Sequence, residues 1–503
     1  MVNNKFNYKW VLLAIALAVV LIRIPALNAR TIHIDEGMGI RASEFVLSDS
    51  WQYSPHNGHG ATLFYAGAVI RNFAGTNVAI FRMFTALCML AVIFLLWVFY
   101  RKKLSLAGQI ILLGGLGFSS GLLFFSAYFI HEAIFILFTA IAFLCFEKWI
   151  KFNKGVWLGF GIVFLALMYM TKETALLTYA SWLFAGLIIL IAQQKLKSIK
   201  EFITRENIIF WGSGIFISGI LYVLFFGANL DLLKAPFYWI SERGVSMHIR
   251  PFHYYLTLLF FHEFFILLPA GLFFVILFIK KLWNPRLIFF FLWFLFLLTA
   301  YSLIPYKTPW LIPNIILPLG LFLAFSIDKI WQACCSKLFK DIIIFLAIFL
   351  FAVSLWGLYT DNFTHPDRVQ EYDYAYLQAG KGLKEFISTI NGLAAVYPEK
   401  PLPVQIIGKG DELLYVLTEG YDRIYPPFKE NMPVYINYLH SAEQTKSLLA
   451  STNKEYVFLK FTYINPLPEI DIFVQKDLFE TYRQSPYFIA PQSVWPEGII
   501  RYN

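Results

Sequence analysis

Charge is scarce in this chain: 15% of its 503 residues are Asp, Glu, Lys or Arg, against 58% hydrophobic. With a mean hydropathy of +0.61, that balance excludes an ordinary soluble protein, whose surface needs far more charge. Cysteine is rarer still. Cys88, Cys145, Cys334 and Cys335 all lie in or beside apolar runs, and none falls after residue 360. The polar tail therefore has neither a disulfide framework nor a zinc-ligand spacing, and must fold on its own core. Internal repeats and low-complexity tracts are absent as well.

What the sequence has in abundance is apolar runs of 18 to 25 residues, recurring from the N-terminus to about residue 360. Each can cross a bilayer core of about 30 Å as a helix. Eleven transmembrane helices are expected, near 9–27, 76–100, 105–127, 129–150, 155–170, 173–192, 207–228, 254–279, 286–304, 309–327 and 341–360. The first run is long for a cleaved signal peptide, so a retained helix is the reading adopted. The net charge of +9 splits at residue 360 into +14 before and −5 after. The excess is loop charge facing a membrane, so membrane lipids are expected partners and nucleic acid is not.

The basic residues segregate. Alternate connections, holding Lys5 and Lys9, Arg101 to Lys103, Lys148 to Lys154, Lys195 to Arg205, Lys280 to Arg286 and Lys329 to Lys340, carry 18 basic residues against five acids. By the positive-inside rule the N-terminus is cytoplasmic in the cell membrane and the tail from 361 extracytoplasmic. The expected domains are thus a transmembrane unit over 1–360, with a long first outer loop at 28–75, and a small α/β domain over 361–503. Strand-like Pro403 to Ile407, Glu455 to Phe461 and Ile470 to Phe473 alternate in the tail with helical Tyr376 to Ile390 and Ala442 to Ala450.

Polar chemistry gathers at the outer helix ends. Asp35-Glu36 follows the first helix, and two adjacent carboxylates can supply a general base for a hydroxyl while the neighbour orients a substrate or cation. The alternative is an acidic turn capping the next helix. The same loop carries His56-Asn57-Gly58-His59-Gly60, which with Asp35 and Glu36 makes a divalent metal a candidate ligand. Its second half, Ala61 to Phe73, reads as an interfacial or re-entrant helix. His131 and Glu132 open the fourth helix, where a carboxylate needs a partner. Lys172 lies in an outer turn, and Lys307 stands beside Tyr306 between Pro305 and Pro309. Either lysine can hold a phosphate as a point charge or snorkel to the interface. Arg82, within the second helix, must find an anion or carbonyls. Glu263, in Phe261-His262-Glu263, has no partner that the sequence identifies.

The motifs HIDEG after the first helix, HNGHGATLFY before the second, YFIHEAIF at the fourth, MTKETALL at the sixth and YSLIPYKTPWL at the tenth together resemble the flippase-activity-associated family. That family is similar to the GT-C glycosyltransferases, including protein O-mannosyltransferases and lipid A aminoarabinose transferases. The resemblance spans most of residues 10–330, and Ala61 stands where many relatives have proline after His-Gly. It implies a GT-C-like fold and an inverting transfer from a polyprenyl-phosphate-linked sugar to a glycan, lipid or protein acceptor in the cell envelope. It further implies Asp35 as base with Glu36 beside it, Glu132 and His131 as a second edge, and Arg82 and Lys307 at the lipid phosphate. His59, Lys172 and Tyr306 complete the expected substrate-binding set. A transporter or accessory flippase subunit for lipid-linked sugars is the second reading, although a carrier would place its ionisable groups near the midplane. A non-catalytic scaffold presenting the tail is the third.

Overall fold

The computed structural model describes residues 8–30, 32–55, 59–75, 77–193, 203–243, 248–333, 336, 355–364, 374, 381–398, 401–407, 422–424, 434–438, 449–450, 454–461 and 470–488. The first apolar run forms α1 (Tyr8–Leu21) and α2 (Arg23–Ala29), which together are one span. Two helices fill the connection that follows, α3 (Ile34–Leu47) and α4 (Thr62–Ala74). The expected re-entrant segment is thus α4, whereas α3 starts at the acidic pair itself.

The bundle continues with α5 (Val78–Tyr100), α6 (Leu106–Ile110), α7 (Ser120–Ser126), α8 (His131–Phe152), α9 (Gly155–Thr171), α10 (Ala175–Ala192) and α11 (Arg205–Phe226). Then come the single turn α12 (Ala235–Tyr238), α13 (Tyr254–His262), α14 (Phe264–Ile279), α15 (Pro285–Leu303) and α16 (Ile312–Ala333). Among the described residues seven helices are long and apolar enough to cross a membrane, and nine if each of two bent pairs is one span. Helix α9, with 17 residues, is a shorter apolar helix. The eleventh expected span, 341–360, lies mostly outside the described residues.

Both bent pairs correct an expectation of continuous helices. The third span breaks by 47° between Leu106–Gly115 and Ser120–Ser126. Gly117 sits at this break, where an added Cβ would meet Val19 Cγ2 at 2.3 Å, so α1 packs too closely for a larger residue. The run 254–279 breaks by 104° at Glu263, between α13 and α14. There the Glu263 carboxylate accepts from Ser119 Oγ at 2.8 Å and the Gly121 N–H at 2.6 Å. A buried carboxylate must find donors, and the bend brings Glu263 to these two.

Helix α16 is buried along its whole spanning window and packs against α6, α14 and α15, forming the centre of the bundle. Helix α11 is peripheral and leans on α9. At the end of the bundle holding the α5–α6 turn, Glu147 accepts from Tyr100 Oη, Lys103 Nζ (2.7 Å) and Arg286 Nη2 (2.8 Å).

The tail builds α17 (Lys381–Val396), β1 (Pro403–Ile407), β2 (Asp422–Ile424), β3 (Val434–Tyr438), β4 (Tyr456–Phe461), β5 (Ile470–Gln475) and α18 (Lys476–Arg483). The sheet order is β2-β1-β3-β5-β4. β1 is parallel to β2 and β3, and β5 is antiparallel to β3 and β4. Val434 and Ile436, Val457 and Leu459, and Ile472 and Val474 alternate inward with strand periodicity, burying Phe386 and Ile390 of α17 and Phe479 of α18 in a shared core. Three of the expected strands are present. The expected helix 442–450 lies largely outside the described residues.

Candidate active site

His33 caps α3. Its Nδ1 accepts from the Asp35 N–H at 3.0 Å, and Glu36 Oε2 accepts from the His33 N–H at 2.9 Å. Glu36 is fully buried. Its Oε1 accepts from Arg82 Nε (2.7 Å) and the Phe129 N–H (3.0 Å), and Oε2 accepts from Arg82 Nη2 (2.6 Å). Arg82 Nη1 donates onward to the carbonyls of Leu27 (2.9 Å) and Arg30 (3.0 Å). One bidentate pair therefore fastens α3 to α5, to the end of α2 and to the strand of chain before α8. Burial pushes the Glu36 pKa up, but the Arg82 charge and the hydrogen bonds from Arg82, Phe129 and His33 outweigh it and hold the carboxyl below its usual range. Glu36 stays ionised and its lone pairs are occupied.

Asp35 differs from its neighbour in exposure and in partners. Its side chain is 38% exposed, and among the described residues its carboxylate meets only His33 Nδ1 at 3.8 Å. No Lys or Arg faces it there. Its oxygens are open to an incoming hydroxyl.

A second group of charges begins at Glu132, directly after the Phe129–His131 segment. Lys172 Nζ pairs with the Glu132 carboxylate, both buried. The next residue, Glu173, holds His59 Nδ1 at 2.9 Å. Burial raises the Glu173 pKa, and His59 and Lys172 together more than reverse that, leaving it lowered. His131 Nε2 meets the Gly60 carbonyl at 3.1 Å, so that nitrogen carries the proton. Gly60 is required there, because a Cβ would stand 1.9 Å from the Met170 carbonyl oxygen. The His59 ring is 5.1 Å from His131 and stacks on Trp239 at 5.2 Å and 13°, and Trp239 meets Tyr306 edge-on at 5.4 Å.

Tyr306 and Lys307 are placed by two connections that pair with each other. Ile249 and Tyr306 form an antiparallel bridge, the Lys307 N–H donates to the His248 carbonyl (3.0 Å) and the Arg250 N–H to that of Pro305 (3.2 Å). Lys307 Nζ donates to the carbonyls of Ile304 (2.6 Å), Arg250 (3.1 Å) and Pro305 (3.5 Å). Lys307 is 2% exposed, and burial lowers its pKa. Among the described residues it has no carboxylate partner, so its charge is uncompensated. Trp310, just beyond, lies 6.1 Å from the His33 ring, which brings this loop to the Asp35 turn.

All nine residues expected from sequence thus gather at one end of the bundle, but in different company than expected. Arg82 faces Glu36, and Lys172 faces Glu132. Among the described residues Glu36 pairs with Arg82, Glu132 with Lys172 and Glu173 with the His59 ring, and no three His, Cys, Asp or Glu side chains converge. His56 lies outside the described residues. Sequence reading missed Glu173 as the partner of His59. It also missed Arg30, buried with its guanidinium carbon 3.6 Å above the Phe124 ring and Nη2 on the carbonyls of Phe124 (2.6 Å) and Ala127 (2.8 Å). An arginine at the end of an apolar run was the available signal.

No protein-family model and no curated protein sequence matches the chain. Solved structures do. ArnT from Cupriavidus metallidurans in the apo state aligns at TM-score 0.60 and 12% identity, over 93% of this chain and 98% of that one. The same protein bound to undecaprenyl phosphate aligns at TM-score 0.60 and 11% identity, over 94% and 99%. The Archaeoglobus fulgidus oligosaccharyltransferase in its apo form gives TM-score 0.46 and 13% identity, over 95% and 77%. Over nearly its whole length, then, the chain has the fold of ArnT, a multi-pass membrane fold of the GT-C type.

Proposed function

We propose that the protein is a membrane glycosyltransferase that moves a sugar from a polyprenyl-phosphate-linked donor to a hydroxyl of a glycan, lipid or protein acceptor. The observation that carries this reading is the contrast at α3: of two adjacent carboxylates, Glu36 is buried and fully bonded, and Asp35 is open. The fold shared with ArnT, a protein whose structure includes undecaprenyl phosphate, supports the donor class. The gathering of the nine expected site residues at one end of the bundle weighs against a carrier, whose ionisable groups would sit near the midplane.

In the proposed reaction Asp35 takes the acceptor hydroxyl proton as the oxygen attacks the anomeric carbon. The bond from that carbon to the phosphate oxygen breaks on the opposite face, inverting the carbon, and the lipid phosphate leaves with the bonding electrons. Negative charge grows on the leaving oxygen, and a fixed cation nearby stabilises it. Lys307 suits that role because among the described residues its charge has no carboxylate opposite it. Tyr306, His59 and His131 line the same region. Arg82, Glu36, Lys172 and Glu132 are assigned to holding the site's shape, since each ion is matched by its partner. From the segregation of basic residues, the site end and the tail face the outside of the cell membrane.

The test is transfer by purified protein in lipid nanodiscs, supplied with a panel of polyprenyl-phosphate sugars and with glycan, lipid and peptide acceptors. Inverted product that depends on Asp35 is the expected result. Translocation of the donor without any new glycosidic bond would replace this reading with the transporter.

A further inference from the structure

Glu263, the carboxylate without a sequence-level partner, sits fully buried at the 104° break between α13 and α14. It accepts from Ser119 Oγ and the Gly121 N–H of the chain entering α7, and also from Tyr374 Oη at 3.0 Å. Tyr374 belongs to the segment leading into the sheet of the tail. Its ring stands 4.5 Å from His262, 5.5 Å from Phe125 and 5.7 Å from Phe124. Gly121 leaves it room: a Cβ there would be 2.9 Å from Tyr374 Oη. A second anchor lies alongside, where Asp361 accepts from Ser120 Oγ and meets His262 Nδ1, each at 2.8 Å.

The other end of α13 holds the 305–308 loop. Tyr255 Oη donates to the Thr308 carbonyl (3.1 Å) and accepts from the Thr308 N–H (3.2 Å). The Arg250 carbonyl, just before α13, accepts from Lys307 Nζ. Nine residues of helix, about 13 Å, therefore connect the contact with Tyr374 to the loop that carries Lys307. A short helix moves as a rigid piece, and the break at Glu263 is where it can pivot.

We propose that Tyr374 and Glu263 form a latch that sets the position of α13, and through it of the Lys307 loop. Both are then positioning residues for donor binding. The proposal rests on the glycosyl-transfer reading for its kinetic consequence, but not for its mechanical one.

Full-length protein in nanodiscs tests it through Tyr374→Phe, Glu263→Leu and Glu263→Gln, the last keeping a carbonyl oxygen in place. Hydrogen–deuterium exchange should rise within 254–262 and 304–310 in Tyr374→Phe, with the amides of β3 to β5 unchanged. Donor KM should rise about five-fold, the size of one lost hydrogen bond, while kcat at saturating donor stays within about two-fold of wild type. Glu263→Leu should exceed both effects, and Glu263→Gln should restore most of the loop protection. Unaltered exchange in 304–310 in folded Tyr374→Phe overturns the latch, as does a fall in kcat with KM constant. If wild-type protein transfers no sugar, the exchange pattern still decides the latch and the functional reading alone fails.

Discussion

Glu36 and Arg82, 46 positions apart in sequence, meet through two parallel hydrogen bonds of 2.6 and 2.7 Å with both side chains almost wholly buried. Breaking a buried pair by removing one partner leaves an uncompensated charge and costs about 3–5 kcal/mol. Glu36→Gln and Arg82→Gln should each lower the unfolding temperature sharply, whereas Asp35→Asn should not. Because the folded pKa of Glu36 lies below its unfolded value, its stabilisation is complete above the ordinary glutamate pKa and is lost as pH falls through the lowered one. Thermal scans from neutral to acid pH should show that loss in wild type and little of it in Glu36→Gln.

Asp35→Asn keeps the shape of the exposed side chain and removes its capacity to accept a proton. A fall in transfer rate of about 10² to 10⁴ is expected, with expression and melting temperature near wild type. Near-normal turnover by the purified variant would move the base elsewhere in the site.

Lys307 binds an anion only as the ammonium, and burial lowers its pKa. Affinity for a polyprenyl phosphate should therefore weaken as pH rises through that lowered value, and bound phosphate should shift the transition upward. Lys307→Gln should bind more weakly at neutral pH and lose this part of the pH dependence. Titrations of lipid phosphate into the folded variant at several pH values check it, and an unchanged profile removes Lys307 from the phosphate site.

The topology expectation is open to direct labelling. In a chain whose four cysteines are replaced, a cysteine at Trp239 should react with an impermeant maleimide added outside intact cells, and one at Lys154 should not. Reversal of that pattern would turn the site to the cytoplasm.

The break at Glu263 shows where sequence reading stops. Hydropathy describes 254–279 as one apolar run, since a single glutamate among phenylalanines and leucines scarcely lowers the average. At the bend that glutamate reaches donors at Ser119, Gly121 and Tyr374, between 111 and 144 positions away. Arg82 was legible as a helix-borne charge in need of a partner, and the structure supplies Glu36. His59 illustrates the same limit, because its partner Glu173 is 114 positions distant.

The sequence alone determined the membrane-spanning character and the crowding of ionisable residues at particular helix ends. Those properties follow from composition along short windows, and hydrophobic transfer free energy is additive over such windows. Only the tertiary structure decided which charge faces which. Asp35 and Glu36 have similar chemistry and adjacent positions, yet one side chain is sealed against Arg82, Phe129 and His33 and the other stands exposed. Ion pairing depends on distances across the whole fold, and no local window contains them.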